Sequence, residues 1–158
     1  VIEKMTEVKE ELLAPCELWC GVCSIYIAHR ENNTKFKEKL LPVYKAFAKD
    51  VDDIACTGCL SDDIVFPVCR ACPIKKCCKE RNIDGCYQCD DFPCKFVDNF
   101  PIPVGKKVIL RAIPFWREHG TEKFVEEEKK RYHCPDCGNP LFRGAKRCNK
   151  CKVVVNVD

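Results

Sequence analysis

The chain has 158 residues, enough for one ordinary domain or for a small domain with a smaller module beside it. Lys and Arg number 27 against 24 Asp and Glu, a formal charge of +3. Its 16 cysteines would reverse that sign once ionised around divalent ions, so net charge is excluded as an argument for nucleic-acid binding.

About one residue in ten is cysteine, the density of a disulfide-stapled secreted protein or of a metal-rich intracellular one. Spacing separates the two. Six pairs have the form C-x-x-C (Cys20/Cys23, Cys56/Cys59, Cys69/Cys72, Cys86/Cys89, Cys134/Cys137, Cys148/Cys151). This is the knuckle spacing of thiolates that share a tetrahedral ion at about 2.3 Å. The lead VIEKMTEVKEELLAPC is charged and has no long apolar run. Neither a signal peptide nor a membrane helix is expected from it, and the expected location is a reducing cytoplasm.

After this lead, CELWCGVC (Cys16, Cys20, Cys23) runs into SIYIAH, predicted as a helix to about Arg30. NNTKFKEKLLPVYKAFAK sets Phe36, Leu40, Leu41, Val43, Tyr44 and Phe47 on one apolar helical face, with Asn33 or Thr34 as cap and Pro42 interrupting it. From Asp50 to Cys94 the chain is cysteine punctuation (CTGC, CRAC, PIKKCC, GCYQC, DFPC) with few apolar residues for a core. Bound metal is expected to replace that core, since ions held by distant thiolates contribute their binding free energy to folding.

PVGKKVILRAIPFWREHG and TEKFVEEEKKR are predicted helices. Thr121 is the expected N-cap of the second, with Phe124 and Val125 inward and with Phe115 and Trp116 packed on the cysteine-rich body. The terminal RYHCPDCGNPLFRGAKRCNKCKVVVNVD carries two knuckles ten residues apart and an alternating KVVVNV strand. That is the pattern of a zinc ribbon in which Cys134, Cys137, Cys148 and Cys151 hold one ion under a small hairpin sheet. The expected fold is a small metal-stabilised α+β protein. Residues 1–128 form a cysteine-rich, mostly helical body with zinc knuckles, and residues 129–158 the ribbon.

Twelve cysteines precede the ribbon, enough for three tetrahedral sites, and their order does not fix the grouping. One arrangement joins Cys16, Cys20 and Cys23 to a ligand from CTGC or DFPC. Another groups Cys69, Cys72, Cys77 and Cys78, and a third joins Cys86, Cys89 and Cys94 to a remote cysteine. Zinc is the default, about four ions if every cysteine ligates; an iron-sulfur cluster in the N-terminal part stays open, because thiolate spacing does not separate the two. The spacing of Cys16, Cys20 and Cys23 also matches the cluster motif of radical S-adenosylmethionine enzymes. Val22 stands where that family has an aromatic residue, and the chain lacks the length and strand-helix alternation of its fold, so that reading is set aside.

Taken in order, CELWCGVCSIYIA, CTGC, CRACPIKKCC, GCYQCDDFPC and LRAIPFWREHGTEKFVEEEKKRYHCPDCG resemble the cysteine-rich family known as domain of unknown function 3795. The resemblance runs from about Cys16 to Cys94, and the connecting helices and terminal ribbon resemble a longer subgroup. The family pattern falls on Cys16, Cys20, Cys23, Cys56, Cys59, Cys69, Cys72, Cys77, Cys86, Cys89 and Cys94. Cys78 stands where many relatives have a small residue, so three neat four-cysteine sites do not follow. A three-thiolate site with an open position would be the first place to seek chemistry. The resemblance implies zinc binding, in anaerobic bacteria and archaea, without an established activity.

His29, His119 and His133 read as structural or exposed, and Asp90-Asp91 as a solvated turn; no nucleophile elbow, Walker loop or HExxH motif is present. Between Lys129 and Lys152 eight Lys or Arg accompany one Asp, a positive surface for phosphates that includes Arg143, Lys146, Arg147 and Lys150. Tyr132 and Phe142 either stack on bases there or support the sheet. The expected function is a metal-binding structural or interaction protein with several Cys-ligated zinc sites, a protein partner and no membrane association. The alternatives are an iron-sulfur electron-transfer protein or cluster-dependent enzyme, and a nucleic-acid-binding module over residues 129–152.

Overall fold

The computed structural model describes residues 8–158, so the reading of residues 1–7 lies outside the described residues. Helices dominate: α1 (Ser24–Arg30), α2 (Thr34–Leu40), α3 (Pro67–Arg70), α4 (Pro73–Glu80), α5 (Lys95–Asp98), α6 (Pro103–His119) and α7 (Thr121–Arg131). Short 3-10 turns form at Glu10–Leu12, Cys20–Val22, Val51–Asp53 and Cys86–Gln88. The cysteines sit at the joints. Cys23 is the N-cap residue of α1, Cys72 of α4 and Cys94 of α5, and Pro67 and Pro73 open α3 and α4, where a missing N–H costs nothing.

Asn33 caps α2 by accepting from the Phe36 N–H at 3.0 Å, as its sequence position predicts. The helix ends at Leu40, two residues before Pro42, and single turns carry the chain on to Ala48. That break explains one correction: Val43, expected on the apolar face, is 70% exposed, because the helical register does not persist past Pro42. Leu40 still packs with Ile25, Ala28, Ile54 and Phe66 in a small core, with Phe36, Leu41, Tyr44 and Phe47 along its edge. Ile54, Phe66 and Ile74 are buried, so the cysteine-punctuated region does supply apolar side chains.

The larger core is organised by α6. Gly105, Val108, Ile109, Ala112, Ile113 and Trp116 recur at helical spacing and are all buried, while Pro114 interrupts the sequence without ending the helix. Thr121 is not the N-cap of α7. That position belongs to Gly120, whose φ of +83° turns the chain between the two helices, and the Thr121 hydroxyl accepts from Trp116 Nε1 at 2.9 Å instead. Phe124 and Val125 face inward as predicted. The outer face of α7 carries Lys123, Glu126, Glu127 and Lys130 in exposed i,i+3 and i,i+4 pairs, which solvent screens so that they add little to stability.

Beyond α7, the α+β expectation is corrected. Among the described residues no strand forms after Arg131; the chain makes only the isolated bridges His133↔Pro140 and Arg147↔Val154. Each knuckle folds its neighbours into a tight turn, and Pro140 has no N–H to extend a ladder. The segment is held to the helices by side chains. Arg111 of α6 donates to buried Glu128 of α7 and to the Tyr132 hydroxyl at 3.2 Å, and that hydroxyl donates to Asp158 at 2.6 Å.

Candidate metal centres

The cysteines fall into three neighbourhoods, and none of the 16 is in a disulfide. The tightest is C-terminal. The Sγ atoms of Cys134, Cys137, Cys148 and Cys151 all lie within 4.8 Å of one another, with Cys134–Cys151 at 3.6 Å and Cys137–Cys148 at 3.7 Å. A tetrahedron with metal–sulfur bonds of about 2.3 Å has sulfur–sulfur edges of about 3.8 Å, so these four thiols could hold one metal ion.

The two C-terminal knuckles are built alike. Cys134 N–H donates to Asn139 O at 2.8 Å and Cys134 O accepts from Gly138 N–H at 2.9 Å. Cys148 repeats both bonds with Val153 O and Lys152 N–H, at 2.9 and 3.0 Å. Gly138 and Lys152 occupy the same left-handed position, φ +74° and +67°. The Cys148 thiol is pulled down to about 6, chiefly by the Cys151 backbone N–H, which favours the thiolate that a metal requires.

The second neighbourhood is a cavity of about 480 Å³ lined by Cys16, Cys20, Cys23, Cys56, Cys59, Cys69 and Cys72. Four pieces of chain meet there: the CELWCGVC loop entering α1, the CTGC turn, α3, and the start of α4. The remaining wall is mostly apolar, with Ser24, Tyr44 and Asn99 as neutral polar members and Arg143 reaching in from the C-terminal segment. Arg143 N–H donates to Val22 O at 2.8 Å and its Nη2 to Trp19 O, while Nε is buried without a hydrogen-bond partner among the described residues. Lys75 donates to the Cys59 carbonyl.

Burial raises the Cys16, Cys20, Cys56, Cys59 and Cys69 thiols. Cys59 is pushed up to about 11 by burial and then by Cys72, Cys56 and Cys23, against the pull of Lys75. Without a cation, so many buried thiols stay protonated.

Cys78, Cys86 and Cys89 lie in the third neighbourhood, with Cys77 beside Cys78 on α4 and Cys94 at the start of α5. Cys78 Sγ lies 4.0 Å from Cys86 Sγ, and the hydrogen bond between them lowers the Cys78 thiol and raises that of Cys86. Arg81 donates to Cys89 Sγ at 3.7 Å and to Asp91 at 2.7 Å, so the Asp90-Asp91 turn is tied down through Asp91. Arg117 of α6 donates to the Tyr87 and Cys89 carbonyls at 3.0 and 2.7 Å. Among the described residues, the C-terminal four are the one group whose ligand atoms lie within 4.8 Å of one another. The suggested quartet Cys69, Cys72, Cys77, Cys78 is accordingly spread out: Cys69 and Cys72 line the cavity while Cys78 pairs with Cys86.

Sequence reasoning did not single out Glu17, Lys75 or Arg117, and it placed Arg143 on a phosphate-binding surface instead of in the cavity wall. Glu17 is fully buried with φ +64°; its Oε1 accepts from Tyr87 N–H at 3.1 Å, and burial pushes its carboxyl up to about 9. An acid inside a cysteine run was the only available signal. Of the histidines, His133 is exposed and His119 packs on Phe115, ring centroids 4.3 Å apart.

Gly58, inside CTGC, tests how tightly the cavity wall is made. Its φ is +127°, and a Cβ there would meet the Glu11 carbonyl oxygen at 2.5 Å. Its N–H donates to Cys56 Sγ at 3.4 Å. Gly58→Ala is expected to cost at least about 2 kcal/mol, read from urea unfolding; a change below about 0.5 kcal/mol would show that the turn tolerates a side chain.

Fold and sulfur geometry together define a small, mostly helical, cysteine-rich protein with a C-terminal group of thiols that could hold a metal ion. Residues 12–99 match the family described as Protein of unknown function (DUF3795), and the chain belongs to that family, as the order of its motifs suggested. The match contains the seven-thiol cavity cysteines and the third neighbourhood, and stops before α6 and the C-terminal four. Neither the curated proteins nor the solved structures gave a match. Among the described residues no helix is long and apolar enough to cross a membrane.

Proposed function

We propose that this is a metal-binding structural protein in which Cys134, Cys137, Cys148 and Cys151 hold a zinc ion, as a ribbon-type site that docks on the helical body and serves interaction with a protein partner. The observation that carries the zinc reading is the pair of sulfur–sulfur distances, 3.6 and 3.7 Å, close to the edge of a zinc–thiolate tetrahedron of about 3.8 Å. A closed set of four thiolates leaves no open position for substrate, which favours a structural role over a catalytic one. The alternative of nucleic-acid binding through residues 129–152 has less support. Arg143 turns into the cavity, Tyr132 is 1% exposed, Phe142 packs on Phe36 with centroids 5.0 Å apart, and Lys129 lies over Trp19.

Metal quantitation on the full chain and on Cys134→Ser tests the proposal. The variant is expected to lose one equivalent of zinc relative to the parent. Equal zinc content in the two proteins would overturn the assignment.

A further inference from the structure

The seven-thiol cavity differs from the C-terminal site in a way that bears on what fills it. A mononuclear thiolate site draws its sulfurs to about 3.8 Å, and the C-terminal four lie within 4.8 Å of one another with two pairs at 3.6 and 3.7 Å. The cavity sulfurs do not: among the described residues no three of them approach mutually within 4.8 Å. They ring a volume of about 480 Å³ instead, many times the ~30 Å³ of a water molecule. A single ion bound to four of these thiols would leave most of that space empty, in an interior that otherwise packs closely.

Number points the same way as size. Two separate four-cysteine ions need eight thiols, and the cavity offers seven. Surroundings add a further constraint. Phe47, Phe66, Phe96 and Phe100 offer water nothing to bond to, so a hydrated guest is disfavoured. Of the polar side chains in the lining, Ser24, Tyr44, Asn99 and Arg143, the cationic one is Arg143, whose Nε lacks a partner among the described residues. A guest with several atoms, sulfur-ligated, anionic and satisfied by N–H donors, fits these walls; an iron–sulfide cluster has those properties, and its potential and stability respond to such donors.

We infer that the cavity is built for a [4Fe–4S]-type iron–sulfide cluster, ligated by four of its seven thiols, Cys59 among them, with Arg143 as the buried counter-cation. The cluster stands beside the C-terminal zinc and does not depend on it.

The test is anaerobic reconstitution of the full-length chain with ferrous iron and sulfide, followed by iron, acid-labile sulfide and zinc determination and visible absorption. About four irons and four sulfides per chain are expected. Cys59→Ser should lose at least three quarters of both while keeping its C-terminal zinc; Cys148→Ser should lose the zinc and keep the iron and sulfide. Arg143→Ala should retain the iron stoichiometry and shift the cluster's reduction potential downward, since a buried positive charge favours the more negative reduced state. Zinc in the cavity without sulfide, before and after reconstitution, would overturn the inference, as would iron that follows Cys148 and not Cys59. Should Cys59→Ser fail to fold, the iron-to-sulfide ratio of the unmodified chain decides the question alone. Failure of the C-terminal zinc assignment would appear separately, as zinc content that Cys148→Ser leaves unchanged.

Discussion

Cys148→Ser is expected to release the C-terminal metal and to lower the unfolding free energy by more than about 5 kcal/mol, since structural thiolate sites contribute about 10–16 kcal/mol of apparent binding free energy in isolated modules. Little backbone pairing orders the segment, which otherwise relies on burial of Leu141, Ala145, Val155 and Val157 and on Arg143 bonded to Val22 and Trp19. Two isolated bridges replace a sheet, and a single hydroxyl network, Arg111–Tyr132–Asp158, joins it to α6. Cys148 is the wholly enclosed member of the set, so a serine there also leaves a buried hydroxyl in place of a ligand. Urea unfolding, with released metal followed by a chromogenic chelator, reads both effects. An unchanged midpoint with undiminished metal would show that the four thiols are not a metal centre.

Trp116→Ala is expected to cost about 3–5 kcal/mol. The ring is 3% exposed and lies between Tyr87, centroids 4.9 Å apart, and Phe124, 4.4 Å apart, nearly parallel to both. It therefore joins the GCYQC turn to α6 and α7 through one stack, and its Nε1 donates to Thr121. Trp116→Phe should retain much of the packing and lose the hydrogen bond, for about 1–2 kcal/mol. Equilibrium denaturation of the two variants separates these contributions; if both cost less than about 1 kcal/mol, the stack is not what fastens the cysteine-rich turn to the helices.

What could be read before the structure was local. Asn33 marked the start of α2, the stretches of α6 and α7 were legible as helices with Trp116, Phe124 and Val125 inward, and two matched knuckles announced one four-thiol group. These signals are short-range, set by backbone geometry within a turn or two. Thr121 looked like a cap because hydroxyl residues often are, but Gly120 reaches the required φ more cheaply and frees the hydroxyl for Trp116. The alternating KVVVNV pattern suggested a strand, yet a strand needs a partner row, and the knuckle turns leave too few free residues to make one.

The grouping of the upstream cysteines was illegible for a different reason. Sites assembled from several loops depend on which loops meet, and a linear order of twelve thiols carries no such information. Arg143 illustrates the limit. It lies 124 positions from Trp19, whose carbonyl it binds, and in sequence it is one basic residue among several. Only the fold turns it from a candidate phosphate ligand into part of the cavity wall.

That wall also divides the making of this protein into stages. During synthesis the cavity's seven cysteines emerge before residue 72 is passed, whereas the arginine that closes over them is added seventy-one residues later. During that interval all seven sulfurs are present, while the wall from Pro73 to Gly105 is added first and Arg143 last. The last part of that wall to be made is thus carried on the stretch between the two C-terminal knuckles.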